Sequence, residues 1–102
     1  MDMQTYAAQL KVWAEEETKL AQEAQEEREK SIHLMLASMY GPMLTQLGRV
    51  GIEGIRPDAL AKVAEDLKKK AEFCRQVGDF DMEEREGIKL AAVRRAMALL
   101  EE

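Results

Sequence analysis

Residues 14–30 read Ala-Glu-Glu-Glu-Thr-Lys-Leu-Ala-Gln-Glu-Ala-Gln-Glu-Glu-Arg-Glu-Lys, and this stretch governs how the first half of the chain is built. Nearly all of these residues are strong helix formers. Opposite charges four residues apart, as in Glu26 with Lys30, further stabilise an exposed helix. Because neither Gly nor Pro occurs between Met3 and Tyr40, we expect one long first helix over those residues.

The dipeptide Gly41-Pro42 is the first interruption of this pattern. Proline lacks a backbone N–H, clashes with the carbonyl four residues before it, and disfavours the α conformation in the preceding residue. We therefore predict a break or sharp kink there, followed by a short second helix to about Leu47. The second helix should run nearly in line with the first, because apolar residues keep helical spacing across the break: Ile32, Met35, Leu36, Met39, Tyr40, Met43, Leu44 and Leu47.

A glycine-rich segment should connect the two halves of the chain. Gly48, Gly51 and Gly54 predict a loop, and Pro57 is suited to the first position of the following helix. The apolar face expected for that helix comprises Leu60, Val63, Ala64, Leu67, Ala71, Cys74 and Val77.

The C-terminal part of the chain has the signals of an antiparallel helical hairpin. Gly78 predicts the C-terminal cap of the third helix. Asp81 and Glu84 have the spacing of a capping box, so we expect the last helix to begin near residue 81 and to end near residue 100. The predicted fold is therefore all-α, a three- to four-helix bundle in which this hairpin packs on residues 32 to 50.

The expected helix lengths do not match. A first helix of about 37 residues would be roughly 55 Å long, whereas each helix of the hairpin would be roughly 30 Å long. The 102 residues suffice for one domain. Within it, we expect residues 1–31 to form a projecting helical arm and residues 32–102 to form the bundle core.

An isolated apolar cluster lies near the end of the predicted arm. Tyr6, Leu10 and Trp13 share one helical face, and Leu20 follows within the polar stretch. We expect these four residues to form a protein interface, either in a homodimer or with another protein. The alternative is that the helix breaks near Glu26 to Ser31 and folds back, which would bring the cluster into a monomeric core.

Three methionines form a second candidate interface. Met35, Met39 and Met43 recur every four residues, and methionine side chains are flexible enough to adapt to different partners. The alternative is that this Met strip packs in the core beneath the C-terminal hairpin.

Candidate catalytic and metal-ligating residues are few. His33 follows Glu29 by one helical turn, but a metal site needs three or four ligands. The single cysteine, Cys74, falls on the apolar face of its helix, which favours a structural thiol. We therefore predict no enzymatic activity, no catalytic residues, no metal and no cofactor.

Charge and hydropathy argue against nucleic-acid-binding and membrane-spanning proteins. The formal net charge is −5, with a net charge of −4 over residues 1–47 (8 acids, 4 bases) and −1 over residues 48–102 (12 acids, 11 bases). Neither half has the basic surface that nucleic-acid binding requires, and no apolar run approaches the roughly 20 residues that span a bilayer. We expect a cytoplasmic protein that binds neither nucleic acid, membrane nor a small-molecule substrate.

These observations predict a non-catalytic protein–protein interaction module. It would serve as a small helical adaptor, assembly factor or chaperone-like subunit, acting by helix-mediated self-association or partner docking. The alternative is an acidic regulator that occupies a basic surface of a nucleic-acid-handling partner.

Overall fold

The computed structural model describes residues 2–54 and 57–101. Over these residues the chain forms helices and no strand, which confirms the predicted all-α class. The helices are α1 (Met3–Glu23), α2 (Glu27–Gly54), α3 (Pro57–Gln76) and α4 (Phe80–Leu100). They make two compact units, α1 with α2 and α3 with α4. The boundary expected near residue 31 therefore falls inside α2.

The predicted long first helix is wrong, because the chain reverses direction between α1 and α2. Ala24 has φ −66° and ψ 132°, an extended conformation that ends α1. Any L-residue adopts this conformation, so neither Gly nor Pro is needed. The helix then resumes at Glu27, and the negative charges of Glu27 and Glu29 interact favourably with the positive N-terminal end of the α2 dipole. The break covers residues 24–26 and so reaches the start of the Glu26 to Ser31 region, where the alternative prediction had the helix break and fold back.

Helices α1 and α2 pack as an antiparallel hairpin. The rings of Trp13 and Tyr40 lie 5.6 Å apart between centroids, tilted by 52°. Nearer the reversal, His33 Nδ1 donates a hydrogen bond of 2.6 Å to Glu17 Oε2. The residue numbers of the two pairs have nearly the same sum, 53 and 50. A nearly constant sum is expected of two helices that run in opposite directions.

The core of this hairpin is built from the apolar stripe of α1. Tyr6, Leu10 and Trp13 are 1%, 0% and 7% exposed. Tyr40 and Leu47 of α2 are also buried, and the antiparallel register places Leu47 level with Tyr6. Burying a leucine of this kind stabilises a fold by about 1.5–3 kcal/mol, so the stripe supplies much of the drive for the reversal.

The helix continues across Gly41-Pro42, so the break predicted there is wrong. Pro42 leaves the carbonyl of Ser38 without its usual helical donor, but both residues are exposed and water can replace that donor. A further hydrogen bond forms at the same place, because Thr45 Oγ1 donates to the Gly41 carbonyl over 3.2 Å.

The interruption of α2 lies instead at Gly51. This residue has φ +70° and ψ 173°, a combination essentially restricted to glycine. The resulting bend brings the backbone of Gly54 close to Val50, so that a Cβ at Gly54 would lie 2.6 Å from the Val50 Cβ. The predicted glycine loop is thus confined to the last residues of α2.

Helices α3 and α4 form the predicted C-terminal antiparallel hairpin. Along α3, residues spaced alternately by four and three are buried or half-buried: Leu60, Ala64, Leu67, Ala71 and Cys74. Val63 and Val77, which the apolar pattern also placed on this face, are exposed. On α4 the buried apolar residues are Leu90, Ala92, Val93, Ala96 and Leu99.

The burial of Trp13 predicts that Trp13→Glu unfolds the α1–α2 hairpin. The change removes a large buried side chain and buries a carboxylate, so we expect a loss of at least about 3 kcal/mol in urea unfolding followed by circular dichroism. Val12→Glu is the matched control, because Val12 is 43% exposed on the same helix. Equal urea midpoints for the two variants would contradict the packing of α1 on α2.

The environment of Tyr6 predicts a loss of stability in alkaline solution. Burial raises the pKa of Tyr6 above its usual value near 10. The contribution of Tyr6 to the free energy of unfolding is therefore fully present below a pH of about 10. It is lost as the pH rises from the pKa of Tyr6 in the unfolded chain toward its higher pKa in the folded chain, because the unfolded chain releases the phenol proton first. We expect Tyr6→Phe to lose less stability than the unaltered chain between pH of about 9 and 11, measured by urea unfolding relative to pH 7. Parallel curves for both proteins would contradict this assignment.

Candidate functional site

The residues predicted for association divide into buried and accessible sets. Tyr6, Leu10 and Trp13 lie in the core of the α1–α2 hairpin, so the projecting arm that would present them is not formed. Their use in association stays a prediction that requires the hairpin to open. Leu20, by contrast, is 44% exposed on α1 and accessible in the folded chain.

The Met strip lies along one flank of α2. Met35, Met39 and Met43 are all half-buried. Residues four apart are separated by about 40° around a helix, so the strip winds gradually toward the buried side that carries Leu47. The strip is neither fully core nor fully surface.

His33 is positioned by α1 and not by its own helix. The sequence paired it with Glu29, whereas its ring contacts Glu17, sixteen residues away. The His33–Glu17 contact is partly buried and connects the two helices. Within residues 2–54 and 57–101, no three side chains of His, Cys, Asp or Glu come together as a metal site, and Cys74 is a half-buried free thiol.

Two backbone hydrogen bonds close the connection between α3 and α4. Gly78 has φ +80°, the left-handed conformation expected of a glycine C-cap. Its N–H donates to the Arg75 carbonyl over 3.2 Å, and the Asp79 N–H donates to the Cys74 carbonyl over 2.8 Å. These two bonds are the Schellman motif, which confirms that Gly78 caps α3.

Helix α4 begins two residues earlier than the capping-box pattern predicts. Asp79 is the N-cap, since its Oδ1 accepts a hydrogen bond from the Met82 N–H over 3.2 Å. Asp81 lies instead within the first turn and forms an ion pair with Arg85. The cap is shifted because Asp79 directly follows the Schellman turn and already has its carboxylate next to the free N–H groups of α4.

Four large apolar side chains are exposed around this turn. Phe73 is 62% exposed, Val77 61%, Phe80 67% and Met82 39%. We call these residues the tip surface. Both phenylalanines of the chain belong to it. Aromatic side chains contribute strongly to core stability when they are buried. Two phenylalanines exposed at the same end of a hairpin therefore suggest that this apolar surface has a role in binding.

The tip surface is not among the interface residues that the apolar pattern predicts. The apolar pattern places Val77 on the buried face of the third helix and leaves Phe73 off that face. One signal could have found them: Phe73 falls about 100° from Cys74 around α3, away from the apolar stripe.

Both acidic and basic side chains flank the tip surface, and Lys69 and Lys70 lie one helical turn before Phe73 on α3. Residues 72–85 contain five acids and two bases, a net charge of −3. Both bases are paired with acids from the same region: Arg75 Nε lies 3.8 Å from Glu83 Oε2 across the turn, and Arg85 Nε lies 3.3 Å from Asp81 Oδ2. Over residues 68–85, which also include Lys68, Lys69 and Lys70, five acids are balanced by five bases, so the exposed apolar groups lie among charges of both signs.

Glu86 is a buried acid that the sequence did not distinguish from its exposed neighbours. It is 5% exposed, and Lys89 Nζ lies 3.5 Å from its Oε1. Its Oε2 has no hydrogen-bond partner among the residues that the structure describes. Removing a carboxylate from water is costly, and the single contact with Lys89 leaves one of the two oxygens of Glu86 without a compensating partner among the described residues.

The position of the N-cap predicts different effects for two neighbouring aspartates. Asp79→Ala removes the cap of α4 and should lower the free energy of unfolding by about 0.5–2 kcal/mol. Asp81→Ala leaves the cap in place and removes the exposed ion pair with Arg85, so it should lower the free energy of unfolding by less than Asp79→Ala does. Urea unfolding measures both, and a larger loss for Asp81→Ala would restore the capping box at residue 81.

Comparisons with known proteins add no assignment to this geometry. No helix in the described part of the chain is long and apolar enough to cross a bilayer. The chain matches no protein-family model, no curated protein and no solved structure.

Proposed function

We propose that this protein is a non-catalytic helical interaction module that docks onto another protein through the tip surface. The observation that carries the proposal is the exposure of Phe73 and Phe80, the two phenylalanines of the chain, on either side of one turn. Protein interfaces are enriched in exposed aromatic side chains of this kind, whose burial supplies a large share of binding energy.

The backbone supports a docking role because it holds the tip surface in one conformation. The Schellman bonds to Cys74 and Arg75 and the Asp79 cap fix the end of α3 relative to the start of α4. A partner would then bind a surface whose backbone is already ordered, and less conformational entropy would be lost on association.

An adaptor, assembly or chaperone-like role is compatible with a small module that presents one apolar end. The accessible residues among those predicted from the sequence, Leu20 and the Met strip, offer a second surface for a homodimer or a further partner. The tip surface is the stronger docking site, because its phenylalanines are more exposed than any of these residues.

Site-specific photocrosslinking in the native cell tests the proposal. A photoreactive phenylalanine analogue placed at position 80 should form a discrete adduct with another protein, and Phe73→Gln in the same chain should abolish that adduct. The analogue at position 34 is the matched control, because Leu34 is 48% exposed but lies on α2.

The mass of the adduct decides the result. A single heavier species at position 80, absent at position 34 and different from twice the chain mass, supports partner docking. No adduct at position 80, or the same set of adducts at both positions, would overturn it. An adduct of twice the chain mass would replace partner docking by self-association.

A further inference from the structure

We propose that α3 pairs with α3 of a second copy of this chain, in antiparallel orientation, through an exposed seam beside its buried stripe. The seam consists of residues spaced alternately by four and three: Ala59, Val63, Asp66, Lys70, Phe73 and Val77. We call these residues the outer seam. Their spacing is that of the contact positions of a coiled coil. The inference goes beyond the proposed function, because it concerns the chain before any partner has bound.

The outer seam is accessible along its whole length. All six side chains are exposed, and the larger apolar ones are strongly so, with Val63 at 45%, Phe73 at 62% and Val77 at 61%. Five of the six residues directly precede a residue of the buried stripe, so they lie about 100° from that stripe around the helix. The buried stripe consists of Leu60, Ala64, Leu67, Ala71 and Cys74. The packing of α3 in its hairpin therefore leaves the outer seam uncovered.

The order of residues along the outer seam matches an antiparallel copy of itself. Two α3 helices related by a two-fold axis near residue 68 would face each other with residue numbers of constant sum, 136. Val63 of each copy then faces Phe73 of the other, and Ala59 faces Val77. A smaller apolar side chain meets a larger one at each of these levels, and the two-fold axis repeats every contact.

The two charged residues at the centre of the outer seam select a second copy in this orientation. Antiparallel pairing places Asp66 of each copy against Lys70 of the other, whereas parallel pairing would place each of them against its own equivalent, with like charges opposed. Within residues 2–54 and 57–101 of one chain, neither side chain forms an ion pair. Charged residues at contact positions of a coiled coil fix register and orientation at a cost in stability.

The lysines beside the outer seam limit the strength of the pairing. Lys62 and Lys69 border the seam and are exposed. In the antiparallel arrangement the two copies of Lys69 approach each other near the axis, which opposes association. Their long side chains can extend into solvent, and each Asp66 lies near both Lys69 and Lys70 of the other copy. We therefore expect a weak, reversible dimer.

Self-pairing and partner docking use overlapping surfaces. Phe73 and Val77 belong to both the tip surface and the outer seam, whereas Phe80 and Met82 lie on α4, outside the seam. The dimer covers Phe73 and Val77 when no partner is present, so a partner that docks on them must first displace the second copy. Self-pairing thereby competes with docking.

Sedimentation equilibrium of the purified full chain, from about 10 µM to about 1 mM, tests the pairing. We expect a reversible dimer of twice 11.6 kDa at the higher concentrations. Val63→Gln should raise the dissociation constant at least about tenfold, because it places an amide against Phe73 at two levels of the dimer. Val12→Gln is the matched control, since Val12 is 43% exposed but lies on α1, and it should leave the dissociation constant unchanged.

Exchange of the central charges tests the orientation. Asp66→Lys and Lys70→Asp each place like charges against each other, and each should raise the dissociation constant at least about tenfold. Asp66→Lys combined with Lys70→Asp in the same chain should restore it, because opposite charges then face each other again. Both positions are exposed, so all three variants should keep the circular dichroism of the unaltered chain.

The outcomes separate this inference from the proposed function. A mass of 11.6 kDa at every concentration, or the same dissociation constant with Val63→Gln, would overturn the outer seam as an interface. A double charge variant no tighter than the single ones would overturn the antiparallel pairing. None of these results affects partner docking, because Val63 lies outside the tip surface and Val63→Gln should leave an adduct with another protein at position 80 intact. Loss of that adduct with an unaltered dimer would overturn docking alone.

Discussion

The apolar stripe of α1 is the constraint on which the N-terminal half depends. Tyr6, Leu10 and Trp13 share one face of α1, and this apolar face must be covered. Contact between Trp13 and Tyr40 provides that cover, and it is possible only if the chain turns back between them. The extended residue at Ala24, the antiparallel register and the cross-helix contact of Glu17 with His33 follow from this requirement.

Local sequence rules predicted the C-terminal hairpin better than the N-terminal one. At Gly78 the residue type and the required conformation agree, so the turn could be read directly. At Ala24 the residue type and the conformation disagree, because alanine is the best helix former and yet ends the helix. The reversal there depends on packing between residues that are distant in sequence. The mismatch in helix length did signal the problem, since it required something to cover Tyr6, Leu10 and Trp13. The absence of Gly and Pro then favoured the wrong solution.

Pro42 and the tip surface show two other limits of pattern analysis. A proline ends a helix when the freed carbonyl is buried, but on the exposed side of α2 that carbonyl can bind water and the helix continues. For the candidate site, the clustering of Tyr6, Leu10 and Trp13 was taken to mark an interface, whereas these residues form the core of the α1–α2 hairpin. Phe73 lies off the apolar stripe of α3 by sequence alone, whereas Phe80 could be recognised as exposed only once the positions of α3 and α4 were known.

Asp79 links the end of one helix to the start of the next without a spacer. Its N–H completes the Schellman motif of α3, and its carboxylate caps α4. An insertion of one residue there would separate these two roles and turn α4 by about 100° about its axis. Natural variation in length should therefore be excluded from this turn, and be better tolerated between Ala24 and Glu26, where the extended linker is not closed by such a pair of caps.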